Sequence, residues 1–261
     1  MGGFMDVLEH NRRGWNGHVA DGDRWTLPVD TDTIARARKG DWSVVLTPTK
    51  AVPRDWFGDI NGRDVLGLAS GGGQQMPVLA AAGANVTSFD ASDAQLAQDC
   101  LVAEREGLSI TCVQGFMHDL SAFGDASFDL IFHPVSNCFA PEILPVWREC
   151  ARVLRPGGAL LAGFNNPVGY IFDWQALDRG ELVATNPLPY RDIDLPPEQL
   201  DELIRQNRTV EFSHTLTEQI GGQMAVGLHL TAMFEDNWDD EGTAASRLFA
   251  PFIATRAIKA A

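Results

Sequence analysis

Asp64-Val65-Leu66-Gly67-Leu68-Ala69-Ser70-Gly71-Gly72-Gly73 is the stretch on which the fold turns. Val65 to Ala69 are small or apolar, and three consecutive glycines follow Ser70. A short apolar run bounded by a glycine turn predicts a buried strand. A helix is expected from about Gln74 to Ala82, with Pro77 in its opening turn, where few ladder bonds are lost. Gly83 is placed to close that helix.

The same unit repeats along the chain. Asn85–Asp90 reads as a second strand, and Ser92 with Gln95 as a capping box. The helix it opens carries Leu96, Cys100, Leu101 and Ala103 at helical spacing, which predicts one buried face. Ile110–Val113 and Phe128–His133 read as strands three and four. A helix over Pro145–Leu154 is expected to bury Val146, Trp147, Cys150, Val153 and Leu154. Pro156-Gly157-Gly158 stops it, and Ala159–Phe164 is the fifth strand. Strands alternating with helices predict a parallel sheet covered on both faces.

Residues 165–210 break the rhythm with prolines 167, 187, 189, 196 and 197 and the aromatics Tyr170, Phe172, Trp174 and Tyr190. Their length argues for an insertion or lid. A strand near Thr209–Ser213 and a helix near Leu216–Val226 follow, the latter opened by a Thr215/Glu218 capping box. Leu228–Phe234 is the last clear strand, and the stretch through Phe249–Ile253 is expected to pack on the core edge. The first 55 or so residues hold Trp15, Trp25, Trp42 and Trp56, with helices expected near Asp6–Trp15 and Asp32–Lys39. The expected fold is α/β: one doubly wound, mostly parallel, Rossmann-like sheet of about seven strands. Within a single domain, 1–60 form a cap, 61–164 the cofactor-binding core, 165–210 a lid, and 211–261 the closing strands and helix.

Composition removes several classes of function. The chain has 261 residues, 45% of them hydrophobic, enough for a real core without disulfide staples. No run of about 18 apolar residues occurs, so no transmembrane helix is expected. The start, Met1 to Asp6, lacks the basic and apolar regions of a signal peptide. Twenty Lys+Arg against 35 Asp+Glu give a net charge of −15, a surface that repels a phosphate backbone, so nucleic acid is not expected as a partner. Cys100, Cys112, Cys138 and Cys150 form no C-x-x-C pair, and no histidine spacing matches a zinc site, so no metal is expected. The cysteines read as reduced thiols, mostly buried, in a cytoplasmic protein.

In an open parallel sheet, ligands bind beyond the carboxyl ends of the strands, where strand order reverses. Ser70 to Gly73, Asp90, Met117 to Asp119, His133 to Cys138, and Asn165 with Asn166 all fall there. The glycines let backbone approach a ligand closely, and the helix start beyond them offers free N–H groups. Asp90, 19 positions after Gly71, is placed to bind both hydroxyls of a ribose. Together these indicate an adenosine-containing cofactor. A nicotinamide fingerprint fits imperfectly. Read from Gly71 its last glycine is Met76, and read from Gly67 its middle glycine is Ala69.

Val65 to Gly73 resembles motif I of the Rossmann-like, class I S-adenosylmethionine-dependent methyltransferases. Phe128-Asp129-Leu130-Ile131 resembles their fourth-strand motif, and Arg152 to Gly158 the helix end and Pro-Gly-Gly before their fifth strand. The resemblance covers roughly residues 60–165, with His214 to Glu235 similar to the family's last helix and antiparallel strand. Three positions depart from it. Gly67 and Ala69 stand where the family usually has an acid and a glycine, and Phe116 follows Gly115 where it often has an Asp. Gln74, Gln75 or the cap would then bind the methionine ammonium. Asp119 or a backbone carbonyl would serve the adenine amine, and Phe116 is suited to stack on the ring.

The resemblance implies methyl transfer from S-adenosylmethionine, with S-adenosylhomocysteine as product, to a small-molecule acceptor. Ala69, Ser70, Gly71, Gly72, Gly73 and Gln75 would cradle the methionine part, and Asp90 with Ala91 would hold the ribose. Leu96, Phe116 and Met117 would enclose adenine. His133 would face the methyl group as a general base, or else hydrogen-bond the cofactor or a loop carbonyl. Trp15, Asn137 and Tyr170 would line the acceptor side. Two other readings stay open here: a nicotinamide-dependent oxidoreductase, and a non-catalytic protein that binds S-adenosylmethionine.

Overall fold

The computed structural model describes residues 6–239 and 242–260. The opening Met1 to Met5, part of the stretch searched for a leader, lie outside them. The strands are β1 (Asp64–Leu68), β2 (Asn85–Asp90), β3 (Ile110–Gln114), β4 (Phe128–His133), β5 (Leu154–Asn165), β6 (Leu228–Asp236) and β7 (Phe252–Lys259). They form one seven-stranded sheet in the order β3-β2-β1-β4-β5-β7-β6. The first five are parallel, and β7 runs antiparallel to both β5 and β6. The helices are α1 (Val7–Asp21), α2 (Thr31–Ala37), α3 (Gln75–Ala81), α4 (Asp93–Glu106), α5 (Leu144–Val153), α6 (Trp174–Asp178), α7 (Pro197–Arg205) and α8 (Gly222–Ala225).

Alternation along the strands sorts side chains into two layers. Val65, Leu130, Phe132 and Leu161 join one apolar cluster with Met76 and Leu79 of α3 and Val102 of α4. Leu66, Ile131, Leu160 and Ala162 join the other, against Val146, Trp147 and Cys150 of α5. Residues 34–60 belong to the first layer: Ile34, Val44, Leu46, Trp56 and Phe57 are all buried in it. Gly163 permits the contact, since a Cβ there would lie 2.3 Å from the Leu46 carbonyl oxygen.

Four local expectations are corrected. Thr209–Ser213 is not a sheet strand; it makes one bridge, Phe212 to Arg191, and is tied by Phe212 N–H to the Cys138 carbonyl. The seventh strand is instead Phe252–Lys259, which lies inside the sheet between β5 and β6, not on the core edge. An interior strand is covered on both faces, so Phe252 to Thr255 are all buried and show no alternation. On α4 the buried residues are Gln95, Leu96, Asp99 and Val102, whereas Leu101 is 52% exposed and Cys100 is exposed. A polar residue, Asp99, anchors the inner face because Ser88 Oγ and Gly73 N–H both donate to it. The helix expected near Leu216–Val226 is a π turn over Thr217–Gly221 followed by the short α8. Trp147 Nε1 donates to the Glu218 carbonyl, and Gly222 N–H goes to Thr217 O instead. Of the four cysteines, Cys138 and Cys150 are buried, while Cys100 and Cys112 sit on α4 and β3 with their sulfurs 3.1 Å apart.

Candidate active site

The cavity opens at the carboxyl ends of β1, β2, β4 and β5, and its volume is about 470 Å³. The floor is the loop after β1. Ala69 takes a left-handed φ of 48° while its N–H donates to Phe89 O at 2.7 Å. Gly71 N–H donates to Asp90 Oδ2 at 3.0 Å, Gly72 N–H to Gln95 O at 2.9 Å, and Gly73 N–H to Asp99 Oδ1 at 2.9 Å. The loop lies tight on α4, since a Cβ on Gly71 would meet Gln95 Cβ at 2.8 Å. Gly72 and Gly73 also need their positive φ of 115° and 72°.

Asp90 ends β2 and faces the cavity. Its Oδ1 accepts from Ser92 N–H at 2.9 Å, and its Oδ2 from Gly71. Burial pushes its carboxyl up to about 6 against these bonds, which favour the ionised form. Beneath it, burial pushes Asp99 up to about 7. Two wall atoms, Ser70 Oγ and Gln95 Oε1, are buried without any hydrogen-bond partner. Leaving such atoms unsatisfied costs roughly 1–3 kcal/mol each. Gln74 donates from Nε2 to the carbonyls of Arg24 and Leu27, and Gln75 Oε1 accepts from Val45 N–H. Phe116, Met117 and His118 form the wall beyond β3.

The far end of the cavity is built by α1, the turn after β4 and the chain beyond β5. Trp15 meets Phe139 edge to face at 5.2 Å, and Asn11 ties α1 to Phe139 O and Val210 O. Tyr170 accepts from Asn165 Nδ2 and donates to Glu211 Oε2, each at 2.7 Å. Its ring stacks on Tyr190 with centroids 5.7 Å apart.

Of the residues singled out from sequence, Ala69, Ser70, Gly71, Gln75, Asp90, Ala91, Phe116, Met117, Trp15 and Tyr170 line this one cavity. Gly72, Gly73, Leu96, His133 and Asn137 lie behind its wall. His133 is fully buried: Nδ1 lies 2.8 Å from Leu68 O, and Nε2 2.6 Å from the Asn137 side-chain amide. Leu68 O and Asn137 Oδ1 can both only accept, and the ring tautomer decides which receives the proton of the neutral imidazole. Asn137 Nδ2 donates in turn to Gln219 Oε1 at 2.8 Å. Desolvation holds the His133 pKa below its ordinary value. Both ring nitrogens are therefore engaged by protein groups. Asp119 caps Ser121 N–H on a separate surface and does not line this cavity. Sequence reasoning missed Glu211 and Gln95. Glu211 fell inside the strand expected over Thr209–Ser213, with nothing local to mark it as a cavity residue, and Gln95 read only as half of a capping box. No cluster of His, Cys, Asp or Glu among the described residues is arranged to hold a metal.

A glycine loop on the first strand, an acid ending the second and the 3-2-1-4-5-7-6 sheet define a class I S-adenosylmethionine-dependent methyltransferase, and the chain belongs to that family. Residues 66–162 match the methyltransferase domain model. The uncharacterized methyltransferase YbaJ of Bacillus subtilis is 46% identical over 254 residues, 97% of this chain and 98% of its own. An S-adenosylmethionine-dependent methyltransferase from Mesorhizobium loti superposes with a TM-score of 0.61 at 19% identity, covering 79% of this chain and 95% of its own. The 1,6-didemethyltoxoflavin-N1-methyltransferase of Burkholderia thailandensis, solved with 1,6-didemethyltoxoflavin and S-adenosylhomocysteine bound, superposes at 0.60 with 14% identity, over 100% of this chain and 93% of its own. The protein is thus an enzyme whose cofactor is S-adenosylmethionine and whose chemistry is methyl rather than hydride transfer. The residues present fit the cofactor: two orphaned polar atoms, a loop too tight for side chains and an acid with spare lone pairs meet in one cavity.

Proposed function

We propose that this enzyme methylates a small molecule held at the far end of the same cavity, and that the residues around the β1 loop bind the cofactor. The observation that carries this reading is the cavity's continuity from Asp90 and Ser70 to Trp15, Tyr170 and Trp174. Its volume lies within the usual range for small-ligand sites, roughly 300–1,000 Å³. Asp90 would accept from both ribose hydroxyls. Ser70 Oγ and the spare oxygen of Gln74 would take the methionine ammonium, in place of the acid absent at Gly67. Ala69 and Gly71 would follow the methionine backbone, with Gln75 fixed against Val45 beside them. Ala91, Phe116 and Met117 would enclose the adenosine. Gly72, Gly73 and Leu96 would support these groups from behind.

S-adenosylmethionine supplies an electrophilic methyl group on a sulfonium, so the protein's task is placement more than proton transfer. His133 would act as a positioning residue, holding the Leu68 carbonyl and, through Asn137, the turn that carries Cys138 and Phe139. The segments before residue 60 and over 165–210 would serve as cap and lid, excluding water and choosing the acceptor. A soluble, cytoplasmic enzyme with no nucleic-acid partner suits the net charge of −15 and the free thiols. Among the described residues no helix is long and apolar enough to cross a membrane.

Thermal unfolding with S-adenosylhomocysteine or NAD tests the cofactor assignment. Ligand at about 100 times its dissociation constant adds roughly 2.7 kcal/mol of stability. Stabilisation by S-adenosylhomocysteine alone, lost in Asp90→Ala, is the expected result. Stabilisation by NAD alone overturns it.

A further inference from the structure

Glu211 enters the cavity wall from the segment after α7. Its Oε2 is held by the Tyr170 hydroxyl, whose oxygen is held in turn by Asn165 Nδ2. Among the described residues, nothing donates to Glu211 Oε1 or to Asn165 Oδ1, and no cation pairs with the Glu211 carboxylate. Arg12, the arginine that shares the wall, is engaged by Glu9 and Asp93. The same cavity wall carries the rings of Trp15, Phe139 and Trp174, the last meeting Tyr170 edge to face at 6.2 Å.

An acidic oxygen set in an apolar wall is completed by a ligand that brings hydrogens or positive charge. Both free atoms here are acceptors, and both flank the Tyr170 hydroxyl. A hydroxyl head offers one hydrogen to two acceptors, whereas a primary amine offers two and keeps a lone pair. A carboxylate or phosphate head would meet like charge with no counter-cation. We propose that the methyl acceptor is an amine on a flat, apolar body, and that Glu211, oriented by Tyr170, holds its N–H and removes its proton. This rests on the methyl-transfer reading above. The nitrogen lone pair forms the new bond to the methyl carbon. The carbon–sulfur bond breaks with its electron pair left on sulfur, and the proton shed by nitrogen passes to Glu211 Oε1. Burial raises the Glu211 carboxyl above its ordinary range, with Asp192 adding and the Tyr170 hydrogen bond and Arg208 opposing.

Benzylamine, benzyl alcohol and benzoate share one body and differ only in the head. The full chain, saturated with S-adenosylhomocysteine, is titrated with each. Benzylamine is expected to bind at least about tenfold tighter than the other two. Glu211→Gln should erase that preference while the affinity for S-adenosylhomocysteine stays within about twofold. Tyr170→Phe, which frees the carboxylate from its partner, should weaken the preference without erasing it. Equal binding of the three heads, no binding of benzylamine at millimolar concentration, or an unchanged preference in Glu211→Gln overturns the proposal. Failure of the wild-type protein to bind S-adenosylhomocysteine overturns the reading beneath it instead.

Discussion

The sulfur of Met76 occupies the space that a side chain on Gly67 would need: a Cβ at Gly67 would lie 2.1 Å from Met76 Sδ and 2.4 Å from Ser70 Oγ. The resemblance places an acid at this position, and the structure explains its absence. Met76 is fully buried against the first strand, so the core has been filled from the helix side. Ser70 Oγ, beside the same position, is buried with no hydrogen-bond partner.

Gly67→Ala should therefore overpack the core and cost roughly 1–3 kcal/mol. Met76→Ala in the same chain should return part of that loss, because the two substitutions share one volume. Urea midpoints of the two single variants and the double variant measure the coupling. Strict additivity would refute the shared volume.

Cofactor affinity should depend on pH through Asp90. Burial raises its carboxyl to about 6 in the free protein, and in the proposed site ribose hydroxyls would donate to the ionised form. Bound ligand thus lowers that value, and affinity is lost as pH falls through about 6, by up to about tenfold per unit. Calorimetric titration of S-adenosylhomocysteine across this range checks it. Asp90→Asn should bind weakly with a flat profile, and a wild-type affinity that is equally flat counts against the role.

Ala69→Gly should be neutral or stabilising. Ala69 holds a φ of 48°, a conformation that costs an L-residue about 1–2 kcal/mol. Glycine removes that strain but brings extra freedom to the unfolded chain, worth about 0.5–1 kcal/mol in the opposite direction. A melting temperature equal to or above the wild type is expected. A clear fall would mean that the methyl group of Ala69 packs against something essential.

His133→Gln should change how stability varies with pH. The His133 pKa is held below its ordinary value of 6.5, so the unfolded chain binds the proton more readily. The stability that this group contributes is present above 6.5 and is lost as pH falls below it. At about pH 7.5 the variant should be less stable by roughly 1–3 kcal/mol, from the broken pairs with Leu68 and Asn137. The deficit should shrink toward about pH 5.5, while His214, whose pKa is also lowered, and Asp90 and Asp99, with raised values, remain in both chains and cancel. Denaturant curves at a series of pH values read the difference, and a constant gap would exclude titration of His133.

The sequence by itself determined the alternation that builds β1 to β5, the glycine loop and the acid at position 90. These are local signals: strand runs two-sidedly apolar, a helix capped by Ser92, and a turn that only small residues can make. All lie within a few residues of what they specify. The stripe of α4 was misread because Asp99 is buried by two donors, Ser88 and Gly73, that come from other elements. The seventh strand was read as edge packing because Thr255, Arg256 and Lys259 interrupt the continuous apolar run that marks a buried strand. Only the tertiary structure decided that residues 34–60 share the core of the sheet, and that His133 faces Asn137 rather than the cavity. It alone brought Asn165, Tyr170 and Glu211 together. These three are separated by up to 46 positions and joined by two hydrogen bonds of 2.7 Å, and no local pattern records a contact formed only when distant segments close over one cavity.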